Sequence, residues 1–384
     1  MIKKDTNIVI FGSTGTIGVN SLSVIRNSKT HKILALSAGK NIDLLIKQIT
    51  EFKPQFVSVI NKKDELILQE KFNNIKFFSG EEGLKTLATL DNTDLVISAI
   101  VGFAGFIPTY YAIKSGKRVA LANKESLVAG GFLFSKEEIK NIIPIDSEHS
   151  AIAQILYKRE KKSIRKLILT ASGGPFLNFS LKEMENITKK DALNHPNWTM
   201  GDKITIDSST MMNKTFEVIE AHYLFDLPYQ QISVVIHPQS IIHSMVEFTD
   251  SSIIAQLANP DMKIPISQAI HYPEIENYNY KRMDFSKLIN FSFIPPDFSK
   301  FPTLNFAKTV MENPQQGVVL NQANEVAVNA FLNDKIKWNQ IYKIIKTVME
   351  NFELLEIKDI EALKIINSQV KDFTINLIKT HWLA

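Results

Sequence analysis

The sequence contains no cysteine, and this absence excludes several kinds of site. Disulfide bonds, thiolate nucleophiles, iron–sulfur clusters and cysteine-bearing zinc sites are all impossible. The chain also lacks any apolar run near the ~18 residues that a membrane-crossing helix needs, so no membrane partner is expected. A strand-like run begins at Asn7, which leaves no room for a signal peptide after Met1. Together these features predict a cytoplasmic protein.

A strong excess of one charge is missing as well. Lysine and arginine total 44 and acidic residues total 40, so the net charge is only +4, and the basic residues are not gathered in a stripe. Nucleic acid is therefore not an expected partner. The 384 residues, of which 45% are hydrophobic and 22% charged, are typical of a globular protein with two or three domains.

Short β-branched segments alternate with longer amphipathic ones in the N-terminal part of the chain. The segments predicted as strands are 8–11, 33–36, 56–60, 95–99, 118–121 and 142–145. Strands separated by helices are typical of βαβ units, which build a parallel sheet. We therefore predict an α/β fold that opens with a Rossmann-like, doubly wound parallel sheet.

The rest of the chain divides into three parts. Strands at 166–170, 204–207, 233–237 and 243–249 mix with helices at 151–159 and 210–225, which predicts a second α/β domain. Prolines and polar residues in 272–303 indicate a linker, and apolar helical spacing at 305–311, 321–331, 338–349 and 360–377 predicts a C-terminal α-helical bundle. The predicted domains are 1–146, 147–272 and 304–384, with the linker at 273–303.

Three glycines, Gly12, Gly15 and Gly18, follow the first predicted strand and open a helix. Glycines let the backbone turn tightly and approach a pyrophosphate, which the N–H groups and the dipole of the helix attract. The tip of the second strand has no acidic residue for the ribose 2′-hydroxyl of NAD. Lys40 and Asn41 offer a cation and an amide to a 2′-phosphate there instead. The loop therefore predicts a dinucleotide site that prefers NADP.

Asp146 and Glu148 follow the strand at 142–145, at the sheet edge where α/β proteins bind ligands. Residues two apart in an extended chain project to the same side, and adjacent carboxylates repel unless a cation lies between them. Oxygen ligands favour Mg²⁺ or Mn²⁺. Glu217 or Glu220 on the predicted helix 210–225 would supply a third carboxylate, and the pattern alone does not separate these two.

Groups that bind anions recur in the second domain. Ser172 begins a Ser-Gly-Gly-Pro turn, Ser208 lies at a predicted helix start, and Asn213 with Lys214 adds an amide and a cation. Hydroxyls, a flexible glycine turn and a lysine suit a phosphate dianion. Trp198 stands on a loop bounded by proline and glycine, which predicts a lid over the substrate at 192–202.

Together these segments closely resemble the 1-deoxy-D-xylulose 5-phosphate reductoisomerase family. The matching segments are 12–18, 121–126, 146–148, 171–176, 195–201, 211–217 and 237–240, in order along the chain. The resemblance implies that NADPH and one divalent metal ion, Mn²⁺ or Mg²⁺, serve the rearrangement and reduction of a sugar phosphate. It implies 1-deoxy-D-xylulose 5-phosphate as substrate, 2-C-methyl-D-erythritol 4-phosphate as product, and a place in isoprenoid precursor synthesis. A homodimer joined through the middle domain is implied as well.

The resemblance also implies roles for individual residues. The implied metal ligands are Asp146, Glu148 and Glu217, which favours Glu217 over Glu220. The implied substrate residues are Lys124, Ser147, Glu148, Ser172, His195, Trp198, Ser208, Asn213, Lys214 and Glu217, and His149 and His243 are further catalytic candidates. The implied NADPH residues are Thr14, Gly15, Thr16, Ile17, Gly39, Lys40, Asn41, Asn123, Glu125 and Gly201. Thr215 departs from the family pattern, in which a small residue, commonly glycine, is expected.

Two other functions fit parts of the sequence. A dehydrogenase of the aspartate-semialdehyde type shares the glycine-rich opening, but its acyl transfer needs a cysteine nucleophile that this chain lacks. A non-catalytic NADP-binding regulatory protein on the same fold would bind the nucleotide without needing the three carboxylates. Dependence on those carboxylates therefore separates an enzyme from a regulator.

Overall fold

The structure is a computed structural model that describes residues 6–26, 28, 30–194, 201–287 and 289–382. The chain divides into two compact units. The first comprises Met1–Ser126, Ser135–Ser150 and Asp261–Tyr280, and the second comprises Leu127–Phe134, Ala151–Pro260 and Lys281–Ala384. Among the described residues, no helix has both the length and the apolar character needed to cross a membrane.

A parallel sheet forms the centre of the first unit. Its strands are β1 (Thr6–Phe11), β2 (His31–Ser37), β3 (Phe56–Val59), β4 (Lys76–Ser79), β5 (Leu95–Ser98), β6 (Arg118–Leu121) and β7 (Ile142–Pro144). They lie in the order β4-β3-β2-β1-β5-β6-β7, and each adjacent pair is parallel. The strand order reverses beside β1, so the carboxyl ends of β1 and β5 flank the crevice where such sheets bind ligands. The predicted Rossmann-like sheet is confirmed.

The helices follow in chain order. They are α1 (Thr16–Ile25), α2 (Ile42–Phe52), α3 (Lys62–Lys71), α4 (Gly80–Ala88), α5 (Phe106–Lys114), α6 (Lys124–Gly130), α7 (Lys136–Ile139), α8 (Ser147–Leu156), α9 (Lys189–Ala192), α10 (Asp202–Ser209), α11 (Met212–Phe225), α12 (Lys263–His271), α13 (Phe306–Glu312), α14 (Gln316–Leu332), α15 (Gln340–Asn351) and α16 (Ile360–His381). The last four lie close to the helices predicted at the C-terminus.

The core of the first unit is built mainly from aliphatic side chains. Ile8, Ile10 and Ile97 are fully buried in it. Ile266 and Ile270 of α12 join the same core, and α12 also contacts α1, β6 and β7. Burial of this much aliphatic surface is the main force that holds a doubly wound sheet together. A segment that follows the second unit's sheet in sequence therefore belongs to the first unit.

A mixed sheet lies in the second unit. Its strands are β8 (Ile164–Ala171), β9 (Ile232–Ile236), β10 (Ile242–Phe248) and β11 (Ile253–Leu257), in the order β11-β10-β8-β9. β8 and β9 are parallel, whereas β10 is antiparallel to both β8 and β11. The long helix α14 contacts α15, α16 and also α10. The second sheet and the helical C-terminal region are thus both confirmed.

The strand predicted at 204–207 is wrong, because these residues lie in α10. Ile204 and Ile206 alternate with polar residues, which imitates a short strand over a stretch too brief to separate the two periods. The helix is fixed by contacts that the alternation does not show: the Lys203 ammonium pairs with Asp207 one turn later at 2.8 Å. The hydroxyl of Thr205 also donates back to the carbonyl oxygen of Gly201 at 2.9 Å.

The compact units divide the chain at other points than the predicted domain boundaries. The predicted middle domain, 147–272, contains α12, which packs in the first unit. The segment predicted as a linker at 273–303 contacts the end of β9. Ile294 forms an antiparallel bridge with Ile236, and the carbonyl oxygen of Ser292 lies 3.0 Å from Nδ1 of His237. The four-part division from the sequence stays a prediction.

Candidate active site

The glycine-rich loop lies between β1 and α1 in the first unit. Gly12 has a φ of +79°, which favours glycine, and a Cβ there would lie 2.8 Å from the carbonyl oxygen of Ala99. A Cβ on Gly18 would lie 2.3 Å from the oxygen of Gly12. The helix begins at Thr16, so Gly18 lies in its first turn. The close approaches within the loop are thus between backbone atoms, at the N-terminal end of α1 where a Rossmann-like fold binds a pyrophosphate.

The tip of β2 carries the residues predicted to distinguish NADP from NAD. The strand ends at Ser37, and Lys40 and Asn41 beyond it are exposed. Asn41 caps α2, because its side-chain oxygen accepts a hydrogen bond from the backbone N–H of Leu44 at 3.1 Å. The ammonium group of Lys40 and the amide NH₂ of Asn41 can offer a phosphate a cation and a donor at the carboxyl edge of the sheet.

Asn123 lies after β6 and is 2% exposed. Its amide nitrogen donates to the carbonyl oxygens of Ile100 at 2.7 Å and Gly102 at 3.0 Å, and the Ser126 hydroxyl donates to its side-chain oxygen. Glu125, another predicted NADPH residue, is also buried. Asn123 therefore shapes the backbone that follows β5, at the crevice beside the glycine loop, through contacts within the protein.

The predicted acidic pair follows β7 in a different geometry from the one expected. α8 begins at Ser147, and the backbone N–H of Ser150 donates to the Asp146 carbonyl oxygen at 2.8 Å. Asp146 therefore precedes the helix and Glu148 lies in its first turn. The argument from two residues projecting to one side of an extended chain does not apply, because the chain coils into a helix directly after Asp146.

Lysine and serine side chains contact this acidic pair. The Lys124 ammonium forms an ion pair with the Asp146 carboxylate, and 7% and 11% of the two side chains are exposed. The hydroxyl of Ser147 donates to the carboxylate of Glu148. His149, the next residue, is fully buried. Burial strengthens the Lys124–Asp146 attraction because little water screens it.

Glu217 lies on α11 in the second unit with two partners from its own helix. Asn213 donates to Oε1 of Glu217 at 2.5 Å, and the Lys214 ammonium pairs with its other oxygen. Only 4% of the Lys214 side chain and 1% of the Glu217 side chain are exposed. Glu220 is fully buried on the same helix. The helix begins two residues later than predicted, since Met211 has a left-handed φ of 62°.

The Ser172 turn and Ser208 approach each other in the second unit. The Ser172 hydroxyl oxygen accepts a hydrogen bond from the backbone N–H of Gly174 at 3.2 Å. Gly174 has a φ of +67°, and a Cβ there would lie 2.8 Å from the carbonyl oxygen of Ser208. Ser208 lies near the C-terminal end of α10, so the prediction of a helix start at this serine is wrong. At this end of α10 an anion would therefore be bound by side-chain hydroxyls such as that of Ser208, and not by the free N–H groups of a helix N-terminus.

The remaining predicted residues fall into two groups. His243 lies in β10 with a buried side chain, and its carbonyl oxygen accepts a hydrogen bond from the Thr170 hydroxyl at 2.7 Å. Gly201 precedes α10 as its N-cap, and no atom of the described residues lies within 4 Å of the position that its Cβ would take. His195 and Trp198 lie outside the described residues, as does most of the predicted lid at 192–202.

Sequence reasoning missed Asp207, a carboxylate next to Ser208 that is 2% exposed. Its two oxygens accept hydrogen bonds from Lys203 and from Asn324, each at 2.8 Å. The sequence carried one signal for it, since a lysine and an aspartate four residues apart favour a helix with a side-chain pair on its surface. No local pattern could indicate Asn324, which is 117 residues away.

The carboxylates fit a divalent cation by their chemistry. Asp146 and Glu148 in the first unit and Glu217 in the second are oxygen donors, and Mg²⁺ and Mn²⁺ favour such donors over nitrogen or sulfur. Asp146 and Glu217, both largely buried, each already carry a lysine ammonium as neighbour. Carboxylates removed from water need a cation close by, which a metal ion can supply.

Profiles of one protein family match most of the chain. Residues 8–131 match 1-deoxy-D-xylulose 5-phosphate reductoisomerase, and residues 142–225 and 257–373 match two C-terminal domains of the same enzyme. A protein of that name from Thermodesulfovibrio yellowstonii is 48% identical over 359 residues, which cover 92% of this chain and 94% of that one. Another from Sulfurihydrogenibium sp. is 48% identical over 373 residues and covers 96% of both.

Solved structures give the same result. The structure described as 1-deoxy-D-xylulose 5-phosphate reductoisomerase from Zymomonas mobilis in complex with NADPH superposes with a TM-score of 0.90 and 35% identity, over 98% of this chain and 100% of that one. A structure described as DOX-P reductoisomerase in complex with NADPH, fosmidomycin and magnesium has a TM-score of 0.90 and 38% identity, over 97% and 98% of the two chains.

Proposed function

This chain belongs to the 1-deoxy-D-xylulose 5-phosphate reductoisomerase family, and we propose which of its residues carry out the family's reaction. The chain is an NADP-dependent oxidoreductase that rearranges 1-deoxy-D-xylulose 5-phosphate and reduces it to 2-C-methyl-D-erythritol 4-phosphate. It uses NADPH and a divalent metal ion. The single observation that carries this function is the match of more than nine-tenths of the chain to relatives of that name at 48% identity.

NADPH binding is assigned to the carboxyl edge of the parallel sheet. The backbone from Thr14 to Ile17 would hold the pyrophosphate, a role supported by the Cβ-free approaches at Gly12 and Gly18. Gly39, Lys40 and Asn41 would bind the 2′-phosphate, while Asn123, Glu125 and Gly201 would lie along the rest of the nucleotide. The exposed ammonium of Lys40 and the cap at Asn41 support this choice.

The divalent metal is assigned to Asp146, Glu148 and Glu217. When bound, the ion would polarise the substrate carbonyl and acidify the neighbouring hydroxyl. A competing donor set replaces Glu148 and Glu217 with His149 and Glu220. We favour the all-oxygen set, because Mg²⁺ prefers oxygen ligands and the Glu217 carboxylate already attracts a cation, Lys214.

Cationic and hydroxyl side chains would bind and orient the sugar phosphate. The substrate residues in the proposal are Lys124, Ser147, Glu148, Ser172, His195, Trp198, Ser208, Asn213, Lys214 and Glu217. The ammonium of Lys124 would stabilise negative charge that develops on the substrate oxygens, which is worth most in a site closed to water. The 192–202 segment would exclude that water, and His149 and His243 would face the substrate as further catalytic groups.

The phosphate grip within this set consists of Ser172, Ser208, Asn213 and Lys214. All four lie in the second unit, and the close approach of Gly174 to Ser208 supports a shared role for the two serines. Lys214 would bind both the Glu217 carboxylate and the substrate phosphate, since its ammonium already pairs with Glu217 and can donate three hydrogen bonds.

Further properties are proposed on the family pattern. The domains are those predicted, at 1–146, 147–272 and 304–384, with a linker at 273–303. The protein acts in the cytoplasm on the route to isoprenoid precursors, uses Mn²⁺ as well as Mg²⁺, and forms a homodimer through the middle domain. The edge strand β11 supports the dimer, because its Ile253 is 54% exposed and edge strands are ready to pair.

NADPH oxidation, followed by absorbance, tests this function. With 1-deoxy-D-xylulose 5-phosphate and Mn²⁺ present we expect NADPH to be consumed, excess chelator to stop the reaction, and Mn²⁺ or Mg²⁺ to restore it. Full activity in excess chelator contradicts the metal's role. Binding of NADPH with no turnover under any of these conditions favours a non-catalytic NADP-binding regulatory protein.

A further inference from the structure

Asp207 links α10 to the C-terminal helices. Its Oδ1 accepts a hydrogen bond from the Asn324 amide of α14, and its Oδ2 accepts one from Lys203 of α10. The Asp207 side chain is 3% exposed, and the hydrogen bond from Asn324 is wholly buried. A buried carboxylate is costly unless both oxygens are satisfied, so this arrangement specifies how α14 and α10 pack.

The two residues after Ser208 are held by the same part of the chain. Nε1 of Trp338, which lies between α14 and α15, donates to the Ser209 hydroxyl at 2.8 Å. The Thr303 hydroxyl donates to the carbonyl oxygen of Thr210 at 2.5 Å. Asp207, Ser209 and Thr210 are therefore each hydrogen-bonded by a residue more than 90 positions further along the chain.

Trp338 also contacts the segment that carries Ser172, the other serine of the proposed phosphate grip. Its ring meets that of Phe176 edge to face, with 5.3 Å between the centroids. Phe176 follows the turn of Ser172 and Gly174, and Gly174 packs against the Ser208 carbonyl oxygen. One tryptophan of the C-terminal region thus contacts both segments that carry the phosphate-binding serines.

Ser208 differs from its neighbours in this stretch. Asp207, Ser209 and Thr210 are buried, whereas Ser208 is half-buried. Within the described part of the chain, no side chain hydrogen-bonds to its hydroxyl. The anchored residues on both sides hold the backbone at Ser208, which limits its hydroxyl to the few positions that the side-chain rotamers allow.

We propose that Asn324 and Trp338 are positioning residues for the phosphate grip, so that the C-terminal helices set the affinity for the substrate's phosphate. The proposal rests on the proposed phosphate role of Ser208. Asn324 acts through Asp207, Trp338 acts through Ser209 and Phe176, and neither needs to touch the substrate. A small displacement of α10 moves the Ser208 hydroxyl away from the phosphate, and hydrogen bonds weaken steeply as their geometry worsens.

The test compares five variants of the full chain with the wild type. Asn324→Leu keeps the branched shape of the side chain but removes the donor to Asp207, and Trp338→Phe keeps an aromatic ring beside Phe176 but removes the donor to Ser209. We expect KM for 1-deoxy-D-xylulose 5-phosphate to rise about 10-fold in Asn324→Leu, which loses a hydrogen bond to a charged group. We expect it to rise about 3-fold in Trp338→Phe, which loses a hydrogen bond to a neutral group. The competitive Ki of inorganic phosphate should rise by the same factors, with kcat and the NADPH Kd unchanged.

Two further variants exclude a general loss of stability. Val370→Ala opens a cavity on α16, which packs against α14 and α15, and should lower Tm without changing KM. Asp207→Asn should keep KM within about 3-fold of the wild-type value. The side-chain oxygen of Asn324 has no partner among the described residues, and after the Asn324 amide flips, this oxygen can accept a hydrogen bond from the new NH₂ group.

Each outcome decides the matter. The proposal is overturned if Asn324→Leu and Trp338→Phe leave KM and the phosphate Ki unchanged, or if Val370→Ala raises them equally at a matched loss of Tm. Ser208→Ala separates this failure from that of the proposed function. If Ser208→Ala raises the phosphate Ki and the other variants do not, only the positioning role fails. If Ser208→Ala itself has no effect, the phosphate role of Ser208 fails.

Discussion

The Lys214 ammonium contacts the Glu217 carboxylate one turn along α11, and both side chains are almost completely buried. Lys124 and Asp146 form a similar pair in the first unit. In each pair a lysine neutralises a carboxylate that is proposed to bind the metal. Removing one member of a buried pair leaves the other charge uncompensated, which is far more costly than losing an exposed pair. The lysines and carboxylates of this site therefore depend on each other.

Glu217→Gln tests the choice of the third metal ligand. The variant keeps the side chain's size but loses the charge that attracts a cation, so we expect kcat to fall on the order of 10²-fold or more. NADPH binding should stay nearly intact, because all but one of the residues proposed to bind the nucleotide lie in the other unit. Steady-state kinetics and fluorescence titration with NADPH measure the two effects.

Glu220→Gln is the matched control for this variant. Glu220 is as buried as Glu217 and lies on the same helix, so both variants remove a buried charge from α11. We expect Glu220→Gln to retain much more activity. If it alone abolishes turnover while Glu217→Gln stays active, the ligand assignment is wrong.

Lys40→Asp tests the discrimination between the two nucleotides. Exchanging the cation for an anion should repel the 2′-phosphate of NADPH and leave NADH unaffected, and a charged hydrogen bond is worth about 1.5–3 kcal/mol. The ratio of kcat/KM for NADPH over NADH should therefore fall about 10-fold or more. Lys76→Asp makes the same charge change at an exposed position at the start of β4, on the opposite edge of the sheet. An equal effect of both changes would mean that Lys40 makes no specific contact.

Gly12→Ala tests the glycine loop. Both Gly12 and Gly116 have positive φ, but a Cβ meets the Ala99 carbonyl oxygen only at Gly12, whereas nothing lies within 4 Å of one at Gly116. Conformational strain alone costs about 1–2 kcal/mol, and forced overpacking adds roughly 1–3 kcal/mol. Chemical denaturation should show a greater stability loss for Gly12→Ala than for Gly116→Ala, and only the former should weaken NADPH binding. Equal losses would contradict the close approach.

His31 makes the stability of the first unit depend on pH. Burial, helped by the nearby His271, lowers the pKa of His31 from 6.5 to about 4, while Glu276 raises it slightly. Its Nδ1 lies 2.6 Å from the Ser28 hydroxyl and its ring 4.8 Å from that of His271. Above pH 6.5 His31 is neutral in both states and contributes nothing. As the pH falls from 6.5 towards 4 the unfolded chain binds a proton first, so stability is lost.

His31→Phe removes this titration. We expect the difference in Tm between pH 7 and pH 5 to be smaller in the variant than in the wild type, since only the wild type loses the contribution of the histidine. Scanning calorimetry at the two pH values measures the difference. The same loss of Tm in both proteins would show that His31 protonates as easily in the folded chain as in the unfolded one.

The fold was predictable where the sequence repeats a strong pattern. The apolar runs of β1, β2 and β5, with Gly12 after the first of them, were enough to identify the parallel sheet. The apolar pattern misled at α10, where four residues alternate like a strand, although side-chain contacts one turn apart, such as Lys203 with Asp207, hold them in a helix. The pattern also did not predict the place of α12. This helix packs in the first unit because its apolar residues join a core formed by strands far away in sequence.

The site shows the same division. The glycine loop and the acidic residues are recognisable as local motifs in the sequence. Their chemistry could therefore be inferred before their geometry was known. The arrangement after β7 could not, because α8 begins directly after Asp146 and ends the extended spacing. The link between Asp207 and Asn324 joins residues 117 positions apart, and only the folded chain brings them together.

Titration with Mn²⁺ tests the central claim most directly, with the free ion followed by electron paramagnetic resonance. The wild-type protein should bind one Mn²⁺ per chain. Asp146→Asn, Glu148→Gln and Glu217→Gln should each weaken that binding on the order of 10-fold or more, since each loses a charged oxygen ligand, and Glu220→Gln should not. Wild-type Mn²⁺ affinity in any one of the first three variants would contradict a site built from those three carboxylates.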